Sequence, residues 1–316
     1  MRADEGTTTG RAATPGATGY ELRGDVPAPA AGSTRRGRLV AVSDLHIRYP
    51  ENRKITDALR PADADDWLLV AGDVAERVGD IEWALGTLAE RFAKVVWVPG
   101  NHELWTVNDD PVQLRGEERY RHLVEICREL GVVTPEDDYP VFEGVGGPVV
   151  VAPLFTLYDY TFRPAGTHTT AEALARAEQA GVVCTDEFML HPDPHPGRED
   201  WCRERLRYTE RRLDALPPDL PTVLVNHHPL VRRPTEVLRY PEFALWCGTE
   251  ATADWPRRYR AACVVYGHLH IPRLLWHDGV PHQEVSLGYP REWRGRPHAV
   301  PGRPVQILPV PRPPAA

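Results

Sequence analysis

Short apolar runs recur along the chain, and each is bounded by polar or turn-forming residues. They are rich in valine and leucine, which is typical of buried β-strands. The runs are Leu39–Ser43, Trp67–Ala71, Val95–Pro99, Val149–Leu154, Thr222–Asn226 and Cys263–Tyr266. Charged segments between them carry apolar residues at helical spacing. These segments are Asp80–Phe92, Glu117–Leu130, Ala171–Ala180 and Glu199–Leu216. The order predicts an α/β fold with central strands.

The two ends of the chain show neither pattern. Residues 1–36 are rich in Ala, Gly, Thr and Pro, and we expect a disordered tail without the apolar core of a secretory signal. Residues 309–316 are mostly proline and alanine, which favours an extended, exposed tail. We therefore predict one domain over residues 37–308.

Composition narrows the range of partners. The 316 residues carry a formal net charge of −8, which disfavours nucleic acid because phosphate backbones are bound by basic surfaces. No apolar stretch approaches the roughly 18 residues of a membrane-spanning helix, so we expect no membrane association. The five cysteines are widely spaced and form no paired motif. Reduced thiols in a cytoplasmic protein are the expectation.

Polar clusters follow most of the predicted strands. The clusters are Asp44-Leu45-His46, Gly72-Asp73, Gly100-Asn101-His102-Glu103, Asn226-His227-His228-Pro229 and Gly267-His268-Leu269-His270. Functional groups of open α/β sheets gather where strands end and loops begin. We therefore expect these clusters to meet at one site.

The residue types in these clusters suit a metal centre. Asp44 and His46 are two positions apart in a segment expected to be extended, as are His268 and His270, so each pair should face one side. The candidate ligands are Asp44, His46, Asp73, Asn101, His227, His268 and His270. Their nitrogen and oxygen donors suit manganese, iron, zinc or cobalt. So many ligands indicate two divalent ions sharing a carboxylate, roughly 3.5–4 Å apart, an arrangement suited to phosphate ester hydrolysis.

The order of these motifs, with Glu76 following Gly72-Asp73, resembles the signature of calcineurin-like metallophosphoesterases over residues 44–270. The resemblance implies a four-layer α/β/β/α sandwich. It also implies that Asp73 bridges two metals. One metal would be held by Asp44, His46 and His270, and the other by Asn101, His227 and His268. In similar His-His-Pro segments the first histidine is the ligand, which leaves His228 facing the loop, where it could touch substrate.

The resemblance further implies a hydrolase in which a metal-bridging hydroxide attacks a small-molecule phosphomonoester or phosphodiester. Asp73 would help to activate the water, and His102 would serve as acid or charge stabiliser at the leaving group, oriented by Glu76. Many relatives have aspartate at the position of Glu76. Two alternatives are a non-catalytic scaffold, which would show degenerate ligands, and a nuclease, which usually has basic grooves. The substrate, the choice between monoester and diester, the metal and the oligomeric state stay open.

Residues 155–200 form a long insertion before the His227 motif. Its aromatic residues, from Phe155 to Phe162, alternate as in a strand, and packing in the core or in a lid is the favoured interpretation. The alternative is a cap over the metals that supplies Tyr158, Tyr160 or Arg163 for substrate recognition.

Two charged clusters outside the motifs are expected to lie at the surface. Arg232 and Arg233 follow the His227 motif and could reach a phosphate oxygen, although paired arginines are more often solvated. The acidic run Asp63-Asp65-Asp66 precedes a strand and is expected to be solvated.

Overall fold

The computed structural model describes residues 37–296 and 301–311. The predicted tail at residues 1–36 lies outside the described residues, as do residues 312–316 of the predicted C-terminal tail. The strands are β1 (Leu39–Val42), β2 (Trp67–Val70), β3 (Lys94–Trp97), β4 (Val141–Phe142), β5 (Val149–Pro153), β6 (Thr222–Val225), β7 (Ala261–Tyr266), β8 (Leu274–His277), β9 (Val280–Glu284) and β10 (Val305–Gln306). The α-helices are α1 (Pro50–Ala58), α2 (Val78–Ala89), α3 (Gly116–Glu129), α4 (Thr170–Gln179), α5 (Asp186–Met189), α6 (Arg198–Asp214), α7 (Trp255–Arg258) and α8 (Pro290–Trp293). Short 3₁₀ segments lie at His102–Leu104, Arg233–Val237, Pro241–Trp246 and Glu250–Thr252.

The strands form two sheets with parallel centres. The first has the order β10-β1-β2-β3, with β10 antiparallel at its edge. The second has the order β4-β5-β6-β7-β9-β8, with antiparallel strands β4 and β8 at its edges. Because the central strands of each sheet run in the same direction, their carboxyl ends meet at one edge.

Both faces of the central strands are buried, which explains why their sequences read as unbroken apolar runs. Leu39 of the first sheet and Val223 of the second belong to one cluster between the sheets. The outer face of the first sheet packs against Leu85 of α2, and Leu224 of the second packs near Leu213 of α6. The layers are therefore α/β/β/α, as the motif resemblance implied.

Helix α1 was not predicted, because the side chains that it buries are polar rather than apolar. Asn52 and Thr56 are its buried residues. The Asn52 amide donates to the carbonyls of Leu45 and Gly288, at 2.8 and 2.9 Å. A search for apolar residues at helical spacing cannot find such a helix.

Two expectations about local structure are wrong. The segment after β5 is irregular rather than a strand, and Tyr160 has a φ of 58°, which breaks any extended run. Its aromatic side chains, including Tyr158 and Phe162, are nevertheless buried. Asp66, the residue before β2, is buried rather than solvated, and it accepts hydrogen bonds from the backbone and side chain of Arg38, the residue before β1.

No helix among the described residues has the length and apolar character needed to cross a bilayer. All five cysteines are free, buried thiols.

Candidate metal centre and active site

The loops that follow β1, β2, β3, β6 and β7 bring all seven predicted ligands together. Each loop begins where its strand leaves the sheet, so the ligands share the edge at which the parallel strands end. The side chains are buried or nearly so, and His270 is the most accessible, at 13%. The ligands by loop are Asp44 and His46, Asp73, Asn101, His227, and His268 with His270.

Asp44, His46 and His270 form the first group of donors. His270 Nε2 lies 3.0 Å from Asp44 Oδ1 and 3.2 Å from His46 Nε2. His46 Nε2 also lies 3.9 Å from Asp73 Oδ2. Their spacing allows these atoms to face one common ion.

Asn101, His227 and His268 form the second group. Asn101 Oδ1 lies 3.1 Å from His227 Nε2 and 3.2 Å from His268 Nδ1. The same Asp73 oxygen that faces the first group lies 3.4 Å from His227 Nε2. Asp73 therefore stands between the two groups, where a shared ligand would be placed.

The hydrogen bonds behind the second group fix which atoms face inward. His227 Nδ1 donates to the Ala71 carbonyl at 2.8 Å, and Asn101 Nδ2 donates to Asp186 Oδ1 at 2.8 Å. His227 Nε2 and Asn101 Oδ1 are then left as lone-pair atoms pointing at each other and at a carboxylate. Acceptors at such distances require positive charge between them, from a proton or a cation.

The electrostatics of the site favour positive charge in both groups. Burial opposes the charged form of His227, but Asp73 outweighs it and raises the pKa of His227 to about 10. Burial likewise opposes charge on His270, but Asp44 outweighs it and raises the pKa of His270 to about 10. A bound divalent cation would compete with these protons for the same lone pairs.

Backbone strain is concentrated at the ligands. Positive φ values between 42° and 68° occur at Asp44, His46, Asp73, His268 and His270. Residues other than glycine rarely adopt this region, at a cost of about 1–3 kcal/mol each, and such strain clusters at functional sites. The expectation that the pairs Asp44/His46 and His268/His270 lie in extended backbone is therefore wrong, because all four residues have left-handed backbone.

Gly100 lies against the Asp73 carboxylate. A Cβ at this position would overlap Asp73 Oδ1 and lie 2.6 Å from the Asp73 nitrogen. We expect Gly100→Ala to destabilise the fold by about 1–3 kcal/mol through overpacking and to lower metal content. Thermal melting and elemental analysis would measure both effects.

Gly79 offers a matched control, since it lies in α2 with no atom within 4 Å of an added Cβ. Gly79→Ala should leave metal content unchanged and stabilise the protein by about 0.4–1 kcal/mol, because alanine restricts the unfolded chain more than glycine does. Wild-type melting and metal content in Gly100→Ala would show that the site tolerates displacement of Asp73.

His102 lies beside the ligands without joining either group. Its Nδ1 donates to Glu76 Oε1 at 2.9 Å, and its Nε2 lies 3.8 Å from Asp73 Oδ2. Burial opposes charge on the ring, but Asp73 and Glu76 outweigh it and raise the pKa of His102. Trp105 stacks on the ring, with centroids 3.7 Å apart. Glu76 thus forms the hydrogen bond to His102 although its side chain is longer than the aspartate that many relatives have at this position.

Several residues around the ligands carry no motif and were missed. Asp186 accepts from Asn101, and Glu292 Oε2 accepts from His270 Nδ1 at 2.7 Å. The Tyr289 ring packs 4.5 Å from that of His46. Each is a single residue in a distant segment, so spacing in the sequence gives no signal for it.

Glu103 lies in the polar cluster that begins at Gly100, but no role was predicted for it. Its buried carboxylate accepts from the backbone nitrogens of Asp73, Val74 and Gly100 at 2.8–2.9 Å. Burial, followed by the charge of Asp73, raises the pKa of Glu103 to about 7. It joins the loops after β2 and β3.

The expectation that His228 faces the loop is wrong. The ring is buried, 4.5 Å from that of His268 and 5.7 Å from that of Tyr158. Arg232, the first of the two arginines that follow the His227 motif, donates a hydrogen bond to the Arg163 carbonyl at 2.6 Å.

The comparisons with known proteins agree on one family. The calcineurin-like phosphoesterase family model matches residues 37–272. The [acyl-carrier-protein] phosphodiesterase PptH of Mycobacterium tuberculosis is 57% identical over 258 residues, which are 82% of this chain and 80% of that protein. The crystal structure of phosphopantetheinyl hydrolase (PptH) from the same organism matches with a TM-score of 0.85 at 55% identity, over 88% of this chain and 98% of that chain.

Proposed function

The chain belongs to the calcineurin-like phosphoesterase family and hydrolyses phosphate esters, and from that premise we propose that its substrate is the phosphodiester joining a phosphopantetheinyl group to an acyl carrier protein. The observation that carries this proposal is the likeness to PptH over 88% of the chain with a TM-score of 0.85. The proposal selects the diester from the two ester classes left open by the motifs. We infer a cytoplasmic location from the free thiols.

The family uses divalent metal ions, and we assign the ligands from the two groups of donors. Asp44, His46 and His270 would hold one ion, and Asn101, His227 and His268 the other, with Asp73 shared. The converging lone-pair atoms of the second group fit this assignment, as does the absence of thiolates among the ligands. When bound, two such ions supply positive charge to phosphoryl oxygens and lower the pKa of a water to near neutrality.

The remaining chemistry falls to His102 and Glu76. In the hydrolysis the water oxygen forms a bond to phosphorus, and the bond from phosphorus to the carrier protein's oxygen breaks. That oxygen leaves as a strong base and needs a proton. His102 Nε2 would deliver it, while Glu76 holds the other ring nitrogen at 2.9 Å and favours the protonated ring.

Two other functions are less well supported. A non-catalytic scaffold would have degenerate ligands, whereas every ligand position is filled and the side chains converge. A nuclease is disfavoured by the net charge of −8, because phosphate backbones are bound through basic residues.

The proposal is tested by comparing three diesters on Mn²⁺-loaded protein. They are a phosphopantetheinylated carrier protein, the methyl diester of phosphopantetheine and methyl p-nitrophenyl phosphate. We expect kcat/KM for the carrier protein to exceed that for the methyl diester at least about 10²-fold, because binding of remote parts of a substrate lowers the barrier. Mass spectrometry would follow the loss of the phosphopantetheinyl mass. Equal rates on both alkyl diesters would contradict recognition of the carrier protein, and release of nucleotides from single-stranded DNA would favour the nuclease.

A further inference from the structure

Asp186 is a buried carboxylate that belongs to none of the site motifs. It is the first residue of α5, inside the 155–200 insertion, and its side chain is fully buried. One oxygen, Oδ1, accepts from Asn101 Nδ2 at 2.8 Å and from Trp105 Nε1 at 2.7 Å. Trp105 in turn stacks on His102. One carboxylate oxygen of the insertion therefore contacts both a candidate metal ligand and the residue that stacks on His102.

The contact with Asn101 bears on metal binding because an amide has two unlike ends. Only the oxygen of Asn101 can ligate a cation, while its NH₂ end can only donate. A carboxylate accepts and cannot donate, so Asp186 pairs with the NH₂ end. Asn101 Oδ1 is then directed to within 3.1 Å of His227 Nε2 and 3.2 Å of His268 Nδ1. Without an acceptor behind it, the amide could turn its NH₂ end toward the imidazoles.

Asp186 is itself held in place from two directions. Arg198 of α6 donates to the Asp186 carbonyl at 2.6 Å and to Glu187 Oε2 at 3.0 Å. At the other end of α5, the Thr106 nitrogen donates to the Met189 carbonyl at 3.1 Å. The insertion is thereby fastened to the segment that carries Asn101 and Trp105. A carboxylate so fixed can orient another side chain.

We propose that Asp186 is a positioning residue that fixes the amide orientation of Asn101 and thereby sets the affinity of the second metal position. This role rests on the ligand assignment of the proposed function, but not on the identity of the substrate. A residue of the insertion thus orients a metal ligand without binding the metal itself.

The test measures Mn²⁺ binding without substrate, by electron paramagnetic resonance during titration of metal-depleted protein. Asp186→Leu removes the acceptor, and we expect the second Mn²⁺ to bind about 10–100-fold more weakly, the usual loss for a partner of a metal ligand, while the first binds as in wild type. Asp186→Asn keeps an oxygen acceptor and should restore affinity. If Asp186→Leu is not recovered folded, Asp186→Ala carries the same test.

Glu187→Leu provides the matched control in the same helix. Glu187 accepts from Tyr160, Arg198 and Trp246, so its loss should lower the melting temperature without weakening the second Mn²⁺. Wild-type affinity in both Asp186→Leu and Asp186→Ala would overturn the positioning role. Equal weakening by Glu187→Leu would overturn it too, since general loosening of the insertion would then suffice. Binding of fewer than two Mn²⁺ by wild type would overturn the ligand assignment itself.

Discussion

Asp73→Asn is expected to lose bound metal and at least about 10³-fold in kcat/KM, the rate equivalent of the several kcal/mol that a metal centre supplies. Asp73 Oδ2 lies between the two groups of donors, 3.4 Å from His227 Nε2 and 3.9 Å from His46 Nε2. An amide in this position is neutral, and it cannot bridge two cations as a carboxylate does. Elemental analysis of purified protein and steady-state rates with excess Mn²⁺ would be measured together.

The control for this variant is Asp219→Asn, the same chemical change at an exposed position. It should match wild type in metal content and rate. Chelation of the wild-type protein should abolish activity, and Mn²⁺ should restore it. If Asp73→Asn kept both ions and wild-type turnover, the shared-carboxylate assignment would have to be abandoned.

The sequence allowed the convergence of the candidate ligands to be predicted because each of them follows an apolar strand. Central strands of parallel sheets are buried on both faces, so β2 and β6 stand out from their surroundings as unbroken apolar runs. Polar residues directly after such runs, as at Asp73 and His227, are conspicuous. Their order along the chain then carries the family resemblance, and with it the layers of the fold.

The supporting residues were not predictable in the same way. Asp186 and Glu292 are single acids in helices, where an acidic side chain is normally solvated, and only the tertiary structure brings them to Asn101 and His270. Asp66 shows the same difficulty, because a buried acid that accepts backbone hydrogen bonds looks like a solvated one in sequence. The left-handed backbone at Asp44 could not be predicted either, since the backbone hydrogen bonds of this residue run to Gly72 and Gly288, which are distant in sequence.

His102→Ala is expected to keep both metals and to lose activity in proportion to the basicity of the leaving group. The side chain lies 3.8 Å from Asp73 Oδ2 and belongs to neither of the two assigned groups of donors, because its Nδ1 is bonded to Glu76. A nitrophenolate leaves without a proton, so the loss on methyl p-nitrophenyl phosphate should be modest. An alkoxide needs the proton, so the loss on the carrier protein should reach the usual general-acid range of about 10²–10⁴-fold.

Glu76→Gln should show the same dependence in weaker form, because the amide oxygen can still accept from His102 Nδ1 but lacks the charge that favours the protonated ring. Rates for both variants should be measured across methyl aryl diesters of graded leaving-group pKa, with metal content determined in parallel. The control is His122→Ala, which replaces a histidine of α3 that lies outside the site. A steeper dependence of log kcat/KM on leaving-group pKa than in wild type is the signature of a lost acid. An equal loss on every diester with metals intact would instead place His102 in substrate binding, because a group that only binds the phosphoryl oxygens acts the same whichever alcohol departs.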